Sequence, residues 1–327
     1  MLNSLPIITI ITPTYNRKEL LEKAILSVIN QKKDIQYDWE MFIIDDGSID
    51  GTKKYIQKYL DKYIDNIKYF FQENSGVGKA RNVGLDNMSK NSNYLIFLDS
   101  DDELKPDLFS FFLKKFKEFK KKGEYDTVLG FYFLCEDEKG NVIGNKKILN
   151  GKNEIYFDYN SFLFGKINTE MGLITKSSIF LFEPKLRFEE DIITEGVMRS
   201  KMWQYMGKNN LKIGLFDYIG RLYNINHNGE LKITKTITSD RFKKNAIGNE
   251  RVIGIIGEDL LKIKSKNIYS DYLFKAGINW VLFGDNKKGL FLLKKALKNN
   301  LSVKYLIILI ISYINPKLLL YIYKLYI

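Results

Sequence analysis

Short apolar runs alternate with helical patterns through the first 121 residues, and this alternation restricts the fold more than any other feature of the chain. The apolar runs have the length and composition of buried strands: Ile7–Thr12, Met41–Ile44, Ile67–Phe71 and Tyr94–Leu98. Helical patterns follow each run: one capped by Asn16, then Asp50–Leu60, Lys79–Met88 and Pro106–Lys121. Successive strand–helix–strand units favour parallel crossovers, so the pattern predicts an α/β fold with a doubly wound, mostly parallel sheet.

The second half of the chain departs from this alternation. Its residue pattern predicts strands at Thr127–Cys135 and Gly172–Thr175, a hairpin turn at Glu138–Asn141 and a helix at Thr194–Tyr205. From about Arg241 the pattern is helical, with apolar stripes typical of a packed α-hairpin. We therefore predict an α/β domain over 1–235 with halves at 1–122 and 123–235, a helical module over 236–300, and an apolar, basic tail over 301–327.

The scarcity of cysteine and histidine narrows the chemistry. Cys135 is the only cysteine and His227 the only histidine among 327 residues. The chain therefore cannot form an intrachain disulfide, a thiolate cluster or a multi-histidine metal site. A formal charge of +12 is typical of proteins that bind a phosphorylated ligand or an anionic membrane surface. It is also typical of proteins whose lysines only lie on solvated helix faces. A nucleic-acid partner is not expected, because no recognisable motif accompanies the charge.

The tail carries an apolar run that raises the question of a membrane. Tyr305–Ile314 is largely apolar, Pro316 follows it, and Leu318–Ile327 resumes it. A spanning helix needs about 20 uninterrupted apolar residues, so the run is too short. It is typical of an interfacial anchor on an anionic membrane surface, or of a terminal helix packed on the core. Because residues 1–11 lack a signal-peptide pattern, we expect a cytoplasmic protein, peripheral on the cytoplasmic face of the inner membrane.

An acidic cluster gives the strongest chemical signal. Asp99, Asp101 and Asp102 follow the apolar run Tyr94–Leu98, where a parallel strand would end. Ligands of open α/β sheets bind at the carboxyl ends of strands, and neighbouring carboxylates repel one another unless a cation lies between them. Oxygen ligands suit Mg²⁺ or Mn²⁺, which would offset the charge of a departing diphosphate. Taken alone, Asp-x-Asp is also common in caps and turns.

Weaker signals fall at the ends of the other predicted strands. Asp45–Ser48 is typical both of a turn with a helix cap and of a carboxylate that binds a base or ribose. Tyr15 offers a ring that could stack on a nucleobase. Within Asn74–Asn82 the glycines permit close backbone approach, and Lys79 and Arg81 bring positive charge towards a phosphate.

Taken in order, these runs resemble glycosyltransferase family 2. The resemblance rests on four motifs: Pro13-Thr14-Tyr15-Asn16, Asp45-Asp46-Gly47-Ser48-x-Asp50, Asn74-x-Gly76-x-Gly78-x-Ala80-Arg81-Asn82 and Phe97-Leu98-Asp99-Ser100-Asp101-Asp102. It is specific over residues 6–110 and looser to about 235. The resemblance implies the GT-A fold, inversion at the anomeric carbon and a UDP-sugar donor bound by the 1–122 half, with the acceptor on the 123–235 side.

Matched position by position, the resemblance implies a donor-binding set of Pro13, Tyr15, Asp46, Arg81 and Asp99. Tyr15 and Asp46 would contact the base, and Arg81 would lie near the uridine or the diphosphate. Asp99 would contact ribose and help to hold Mn²⁺ or Mg²⁺, with Asp101 as the principal metal ligand. Asp102 would support the loop.

The resemblance fails at the catalytic base. Family members usually carry a Glu-Asp pair shortly after an Arg-Phe-x-Glu segment, and its aspartate takes the acceptor's proton. Here the segment is present at Arg187–Glu190, but the pair falls on Glu195 and Gly196. An inverting displacement needs a carboxylate within reach of the acceptor hydroxyl. We therefore name Glu195 first and Asp191 second, with Glu190 or electrostatics alone as alternatives.

The expected reaction is transfer of a hexose, of glucose or galactose type, from a UDP-sugar to an acceptor hydroxyl. The acceptor would belong to a bacterial surface glycan, a lipid-linked oligosaccharide or a glycoprotein glycan. His227 either approaches the diphosphate or lies in a surface loop. Two other functions stay open: a nucleotidyltransferase of sugar phosphates, and a homologue that binds UDP-sugar without turnover because Gly196 replaces the aspartate.

Overall fold

The computed structural model describes residues 5–165, 167, 170–182, 185–192, 196–224, 238–263 and 265–325, without the side chains of 146, 316 and 322–325. The chain forms two compact units whose segments alternate along the sequence. The first comprises Met1–Tyr159, Lys166–Phe188 and Met206–Asn226, and the second comprises Asn160–Gly165, Glu189–Tyr205 and His227–Ile327. The predicted boundaries at 122, 235 and 300 stay predictions.

Among the described residues, the first unit is built on one sheet of ten strands. In chain order they are β1 (Ile7–Thr14), β2 (Asp38–Asp45), β3 (Ile67–Phe71), β4 (Tyr94–Phe97), β5 (Asp102–Leu104), β6 (Val128–Glu136), β7 (Val142–Ile143), β8 (Glu154–Phe157), β9 (Met171–Lys176) and β10 (Lys212–Tyr223). Their order across the sheet is β3-β2-β1-β4-β9-β6-β10-β5, with β7 paired to β6 and β8 to β10.

The amino-terminal half of the sheet is parallel, as the sequence predicts. Strand β1 lies between β2 and β4 and runs parallel to both, and β3 runs parallel to β2. Strand β1 is buried from Ile8 onward, as expected where helices cover both faces of a parallel sheet. The carboxyl ends of these strands therefore meet at one edge, where the loops carrying Tyr15, Asp46 and Asp99 begin.

The other half of the sheet is mixed. Strand β9 is antiparallel to β4 and β6, β10 is parallel to β6, and β5 is antiparallel to β10. The hairpin turn predicted at Glu138–Asn141 is confirmed, since it joins β6 to the antiparallel β7. The apolar pattern of the sequence does not predict β5 or β10. Strand β10 has register shifts against β6, and Asp217 and two glycines interrupt its apolar pattern.

Helices surround the sheet and make up most of the second unit. They are α1 (Lys18–Ile29), α2 (Thr52–Lys62), α3 (Val77–Asn87), α4 (Leu108–Lys121), α5 (Tyr159–Leu163), α6 (Ser178–Leu181), α7 (Gly196–Lys208), α8 (Ser239–Lys262), α9 (Lys266–Phe283), α10 (Asn286–Asn299), α11 (Val303–Ile314) and α12 (Pro316–Leu325). Short 3₁₀ turns occupy Tyr125–Thr127 and Lys146–Leu149. The helices expected after the first, second, third and fourth strands are confirmed as α1 to α4.

An aromatic core holds the mixed half of the sheet together. Phe112 and Phe116 of α4 pack on Phe131 of β6, with ring centroids 5.7 and 4.5 Å apart. Phe216 of β10 joins them, 5.3 Å from Phe131. Aromatic rings bury large apolar areas and add favourable edge contacts. This core fixes β10 beside β6 and so determines where the last residues of β10 lie.

Asn16 does not cap α1, so the predicted cap is wrong. The residue has a positive φ of 51°, a conformation that asparagine tolerates better than most residues. Its side-chain Oδ1 accepts the Ile49 N–H at 2.8 Å, and its own N–H donates to Ser48 Oγ at 2.8 Å. The amide therefore ties the loop after β1 to the loop after β2 instead of closing the helix, which begins after Arg17.

The second unit contains the carboxyl-terminal helices. The predicted α-hairpin consists of three helices, α8 to α10, and the predicted tail forms α11 and α12. Tyr305 of α11 stacks on Phe274 of α9 at 4.3 Å and donates a hydrogen bond to Asp271. One face of α11 is thus packed against its own unit. Within the described part of the chain, we find no helix with both the length and the apolar character needed to cross a membrane.

Candidate active site

The acidic cluster lies in the turn between β4 and β5. Asp99 and Asp101 belong to the turn itself, and Asp102 is the first residue of β5. Each contributes a carboxylate oxygen, and these oxygens all lie within 4.8 Å of one another. The Asp102 N–H donates to the Asp99 carbonyl at 3.1 Å, which keeps the turn tight. Ionised carboxylates at such distances repel one another strongly, so nearby positive charge stabilises the turn.

Three arginines supply that charge, one for each aspartate. The ion pairs join Arg81 Nη2 to Asp99 Oδ1 at 2.8 Å, Arg17 Nη1 to Asp101 Oδ2 at 2.5 Å, and Arg221 Nη1 to Asp102 Oδ2 at 3.2 Å. The arginines come from α3, from the loop before α1 and from β10. The fold therefore surrounds one short turn with guanidinium groups from three distant parts of the sequence.

Arg81 is held in a fixed orientation. Its buried side chain lies over the rings of Phe97 and Phe188, with the guanidinium carbon 5.6 and 5.3 Å from the ring centroids. Asn82 exchanges two hydrogen bonds with the backbone of Phe188, which anchors that ring to α3. Cation–π contact and the ion pair to Asp99 together define the position of the guanidinium.

Asp99 and Asp101 are the accessible members of the cluster. Burial alone would raise the pKa of Asp99, but the charges of Arg81, Arg221 and Arg17 outweigh it and lower the pKa below its ordinary value. The Asp99 side chain is 43% exposed and that of Asp101 is 22% exposed. A ligand arriving from solvent can therefore reach both carboxylates.

Asp102 has a different environment. Burial raises its pKa to about 8, although the charge of Arg221 acts in the opposite direction. The residue pairs with Tyr223 in the antiparallel ladder of β5 and β10. Asn224, next along the chain, donates its side-chain N–H to the Asp101 carbonyl at 2.6 Å. A buried carboxylate in this position is consistent with support of the loop, the role predicted for Asp102.

Arg221 links the cluster to two further residues. Its Nη2 lies 2.8 Å from Glu170 Oε1, and its Nε donates to Cys135 Sγ at 3.3 Å. Nearby carboxylates raise the pKa of this guanidinium in spite of its burial, which by itself would lower it. Burial raises the pKa of the Cys135 thiol, so that side chain stays neutral near neutral pH. Glu170, just before β9, is half exposed at the same place.

Asp46 organises the loop before α3. Its Oδ1 accepts hydrogen bonds from Gln72 Nε2 at 2.7 Å and from the Ser75 N–H at 2.8 Å, and its Oδ2 accepts the Gly76 N–H at 2.9 Å. Gly47 beside it has a φ of +88°, and a Cβ there would approach the Asn74 nitrogen to 2.9 Å. The glycine therefore permits the two loops to touch. Contact between Asp46 and a base stays a prediction.

Pro13 and Tyr15 mark the end of β1. Pro13 is buried and pairs with Ile44 of β2. Tyr15 is 37% exposed just beyond the strand, which leaves ring surface accessible for stacking. Both residues lie at the edge of the sheet where the acidic turn begins, and their predicted contacts with the donor remain predictions.

The donor set of the acidic turn suits a hard divalent cation. Carboxylate oxygens are the ligands that Mg²⁺ and Mn²⁺ prefer, and Asp99 and Asp101 offer them from partly exposed side chains. Among the residues that the structure describes, this is the one convergent group of three acidic, cysteine or histidine side chains. Asp99 and Asp101 are therefore the residues that would hold such an ion.

The carboxylates predicted to take the acceptor's proton are less well defined. Asp191 belongs to the second unit, where its two oxygens each lie 2.5 Å from a nitrogen of Arg251. This hydrogen-bonded pair lowers the pKa of Asp191, so the carboxylate is a weaker base than usual. Glu190 is exposed. Glu195 and His227 lie outside the described residues.

The sequence motifs do not identify Arg17 or Arg221 as residues of the site. Arg17 follows Asn16 in a motif that suggests a helix cap, and 84 positions separate it from Asp101. Arg221 lies in β10, a strand that the apolar pattern does not predict. Neither arginine has a local spacing that links it to the acidic turn, because strand pairing alone brings them there.

A family model identifies the chain. The model described as "Glycosyl transferase family 2" matches residues 9–184, more than half of the sequence. The chain belongs to glycosyl transferase family 2. The predicted family and enzyme class are thereby confirmed. The matched region of this glycosyltransferase contains Tyr15, Asp46, Arg81 and the acidic turn.

Curated relatives of the glycosyltransferase include proteins of bacterial glycan synthesis. The "Minor teichoic acid biosynthesis protein GgaA" of Bacillus subtilis (strain 168) is 33% identical over 192 residues, 57% of this chain and 41% of that protein. The "GalNAc(5)-diNAcBac-PP-undecaprenol beta-1,3-glucosyltransferase" of Campylobacter jejuni is 35% identical over 192 residues, 57% of this chain and 56% of that protein. The chain spans about two fifths of the length of the first curated relatives it matches.

A solved structure confirms the fold of the glycosyltransferase. Residues 1–349 of S. aureus TarS, crystallised with UDP-GlcNAc, superpose with a TM-score of 0.61 at 17% identity, covering 89% of this chain and 81% of that one. At this identity the likeness establishes the fold alone. It confirms the predicted GT-A architecture of a mostly parallel sheet flanked by helices, followed by a helical region.

Proposed function

We propose that the glycosyltransferase moves a hexose, of glucose or galactose type, from a UDP-sugar to an acceptor hydroxyl and releases UDP. The observation that carries this proposal is the acidic turn Asp99–Asp102, encircled by Arg17, Arg81 and Arg221 at the carboxyl edge of the sheet. The diphosphate of a nucleotide sugar binds both to divalent cations and to guanidinium groups. The site offers carboxylate ligands for a divalent cation and supplies the guanidinium groups.

Each residue of the site has a distinct task in this proposal. Asp99 and Asp101 hold Mn²⁺ or Mg²⁺, which when bound offsets the charge that develops on the leaving diphosphate. Arg81 adds a positive charge that Phe97 and Phe188 already hold in place, so it needs no reorganisation during the reaction. Tyr15 and Asp46 bind the base, and Pro13 shapes the end of β1 behind them.

The acceptor hydroxyl must lose its proton as it attacks the anomeric carbon. Glu195 is the first candidate to accept that proton. Asp191 is the second, and it must first separate from Arg251. Direct displacement from the side opposite the departing UDP inverts the configuration at the anomeric carbon.

The test of the proposal is Asp101→Asn, which replaces one carboxylate of the turn by a neutral amide of the same size. We expect the rate of UDP release from UDP-glucose or UDP-galactose with Mn²⁺ to fall by about a hundredfold or more. The reason is that the variant would hold less tightly the metal ion that offsets the charge of the diphosphate. Circular dichroism and thermal unfolding should stay close to the wild type. Asp65→Asn, at an exposed position outside the site, is the matched control and should retain activity.

Other outcomes separate the alternatives. Release of pyrophosphate from a sugar phosphate and a nucleoside triphosphate would identify a nucleotidyltransferase. Binding of UDP-sugar without any release of UDP would identify a homologue that has lost turnover. Metal-dependent transfer that survives in Asp101→Asn would contradict the role given to Asp101.

The acceptor in this proposal is a bacterial surface glycan or its lipid-linked precursor, reached at the cytoplasmic face of the inner membrane. The names of the relatives support it, since one refers to teichoic acid biosynthesis and the other to an undecaprenol-linked substrate. Enzymes that act on lipid-linked substrates benefit from a surface that keeps them on the bilayer.

The last helices of the chain have the properties of such a surface. Helix α11 exposes an apolar stripe at helical spacing: Val303, Leu306, Ile307, Ile310, Tyr313 and Ile314. Residues 286–327 contain no aspartate or glutamate but eight lysines: Lys287, Lys288, Lys294, Lys295, Lys298, Lys304, Lys317 and Lys324. An exposed apolar stripe in a wholly basic segment matches an anionic bilayer surface in polarity and in charge.

A further inference from the structure

We propose that Glu170 selects the hexose of the donor by accepting hydrogen bonds from its hydroxyl groups. This role rests on the proposed function, because the diphosphate of a UDP-sugar must lie at the acidic turn for its sugar to reach Glu170. Asp99 and Asp101 keep the tasks already given to them.

Strand pairing places Glu170 at the same edge of the sheet as the acidic turn. Glu170 immediately precedes β9, which lies between β4 and β6 and runs antiparallel to both. The antiparallel direction brings the start of β9 next to the end of β4, where the turn that begins with Asp99 follows. All these residues belong to the first unit. Glu170 therefore lies beside the turn, although it is distant from it along the chain.

Arg221 holds the Glu170 carboxylate in place. Arg221 pairs with Cys135 in the ladder of β6 and β10, and its Nε donates to Cys135 Sγ at 3.3 Å. Its Nη2 lies 2.8 Å from Glu170 Oε1, and its Nη1 lies 3.2 Å from Asp102 Oδ2. A planar guanidinium with contacts on three sides has little freedom to turn, so it keeps the carboxylate of Glu170 in one orientation.

The Glu170 side chain is nevertheless accessible to a ligand. It is 50% exposed, whereas the Arg221 side chain is 9% exposed. Arg221 already has Asp102 as an ionic partner, so the burial of its charge does not by itself account for a second, accessible carboxylate. Carboxylates accept strong hydrogen bonds from hydroxyl groups, and a hexose carries several hydroxyl groups.

The position of Glu170 suits the sugar better than the metal ion. Within the described part of the chain, the convergent group of carboxylates consists of Asp99, Asp101 and Asp102, and Glu170 lies outside it. The Arg221 guanidinium separates Glu170 from Asp102. The hexose of a UDP-sugar is joined directly to the diphosphate, so a diphosphate held at Asp99 would bring its sugar beside the turn, where Glu170 lies.

The first test compares ligands with and without the hexose. In Glu170→Gln, the affinity for UDP with Mn²⁺ should stay near that of the wild type, because UDP carries no hexose. The affinity for UDP-glucose or UDP-galactose, whichever the wild type binds more tightly, should fall by about tenfold, because the hydroxyl groups lose a charged acceptor. Calorimetry measures the affinity for each ligand.

Deoxy analogues of the UDP-sugar give an independent test. In the wild type, the analogue that lacks the hydroxyl bound by Glu170 should bind about tenfold more weakly than the parent sugar, because the carboxylate loses that donor. In Glu170→Gln most of this difference should disappear, since two changes to the same hydrogen bond are not additive.

The matched control is Glu154→Gln, which removes the charge of an exposed glutamate of β8. Glu154 pairs with Phe216, at a part of β10 that precedes Arg221, so this variant should change neither affinity. Circular dichroism of each variant verifies that the fold is retained.

Several results would overturn the role of Glu170. Equal losses of affinity for UDP and for the UDP-sugar in Glu170→Gln would mean that the residue only supports Arg221. Unchanged affinity for the UDP-sugar, or a wild type that binds every deoxy analogue as tightly as the parent, would mean that the hexose does not contact the carboxylate. Failure of the wild type to bind UDP with Mn²⁺ would be seen before any variant is compared, and it would overturn the proposed function itself.

Discussion

Buried positive charge in the first unit depends on the partners that each side chain finds. Arg221 is buried among carboxylates, which raise its pKa against the effect of burial. Lys176 of β9 is partly buried with a ring and a carbonyl as partners: its Nζ lies 3.7 Å from the Tyr125 ring centroid and 2.5 Å from the Tyr125 carbonyl oxygen. Burial lowers the pKa of Lys176 from 10.5 to about 8. The protonated form of Lys176 therefore reduces the stability of the fold.

This pKa predicts how stability depends on pH. Between about pH 8 and 10.5 the folded state holds fewer protons at Lys176 than the unfolded state, so the free energy of unfolding rises with pH across this window. Across this window the free energy of unfolding of the wild type should rise by about 1–2 kcal/mol relative to that of Lys176→Met. This value is smaller than the full pKa shift would give, because solvent screens a partly exposed amine. Urea unfolding of both proteins at several pH values measures the difference.

The control for this measurement is Lys117→Met, which replaces an exposed lysine of α4. Its stability relative to the wild type should not change over the same pH window. If the wild type and Lys176→Met keep a constant difference from pH 7 to 10.5, the ammonium of Lys176 is not destabilised by burial and the prediction is wrong.

At the level of single residues, sequence motifs predict the aspartates of the site and one of its three arginines, Arg81. Asp99, Asp101 and Asp102 are adjacent in the sequence, so their cluster needs no knowledge of the fold. Arg17 and Arg221 reach the turn through strand pairing over long separations. Their contribution depends on topology, which local spacing does not encode.

Among the elements, the crossing of α9 and α10 depends on two glycines. A Cβ on Gly289 would approach the Gly277 carbonyl oxygen and the Val281 nitrogen to 2.8 Å. Both atoms belong to the backbone and cannot move aside as a side chain can. The two helices therefore pack closely only because neither position carries a side chain.

Substitution of glycine by alanine should change the free energy of unfolding in opposite directions at two helical glycines. Gly289→Ala should lower the free energy of unfolding by about 1–3 kcal/mol, because the helices must separate. Gly254→Ala, at an exposed position of α8 with nothing within 4 Å of the new Cβ, should raise it by about 0.5–1 kcal/mol through helix propensity. Thermal unfolding of both variants tests the pair. Equal effects of the two substitutions would contradict the close crossing of α9 and α10.

Periodicity predicts the parallel half of the sheet because each of its strands is short, apolar and followed by a helix. It does not predict β5 and β10. Strand β5 has three residues and starts on Asp102, and β10 is interrupted by Gly214, Asp217 and Gly220. Both strands owe their conformation to pairing with each other and with β6. Tertiary contacts override local propensity in such segments.

For the whole molecule, the distribution of charge separates two kinds of surface. The acidic turn is matched by arginines within the first unit, so its charge is balanced locally. The segment 286–327 has eight lysines and no acidic residue. Its one described ion pair joins Lys288 to Glu250 of α8 at 2.9 Å, so the segment keeps an excess of positive charge that would favour an anionic surface. A net charge confined to one segment orients a protein at a bilayer, whereas the same charge spread evenly does not.

This unbalanced segment predicts binding to anionic vesicles. The full chain should float with vesicles that contain phosphatidylglycerol and remain unbound with pure phosphatidylcholine, and binding should weaken as NaCl is raised, because salt screens the lysines. The double variant Ile307→Glu and Ile310→Glu introduces two negative charges into the exposed stripe of α11. We expect it to reduce binding by about tenfold or more, since each charge opposes both burial of the stripe and attraction to the headgroups.

The matched control is Ile49→Glu, which adds a negative charge at a 91% exposed position of the first unit and should leave vesicle binding nearly unchanged. Sedimentation in the absence of lipid distinguishes the bilayer from a second copy of the chain as the partner of α11. A dimer that dissociates in the double variant, together with vesicle binding that does not change, would assign the stripe to self-association. If vesicle binding changes neither with salt nor in the double variant, then the lysines and the apolar stripe are not its cause and the prediction is wrong.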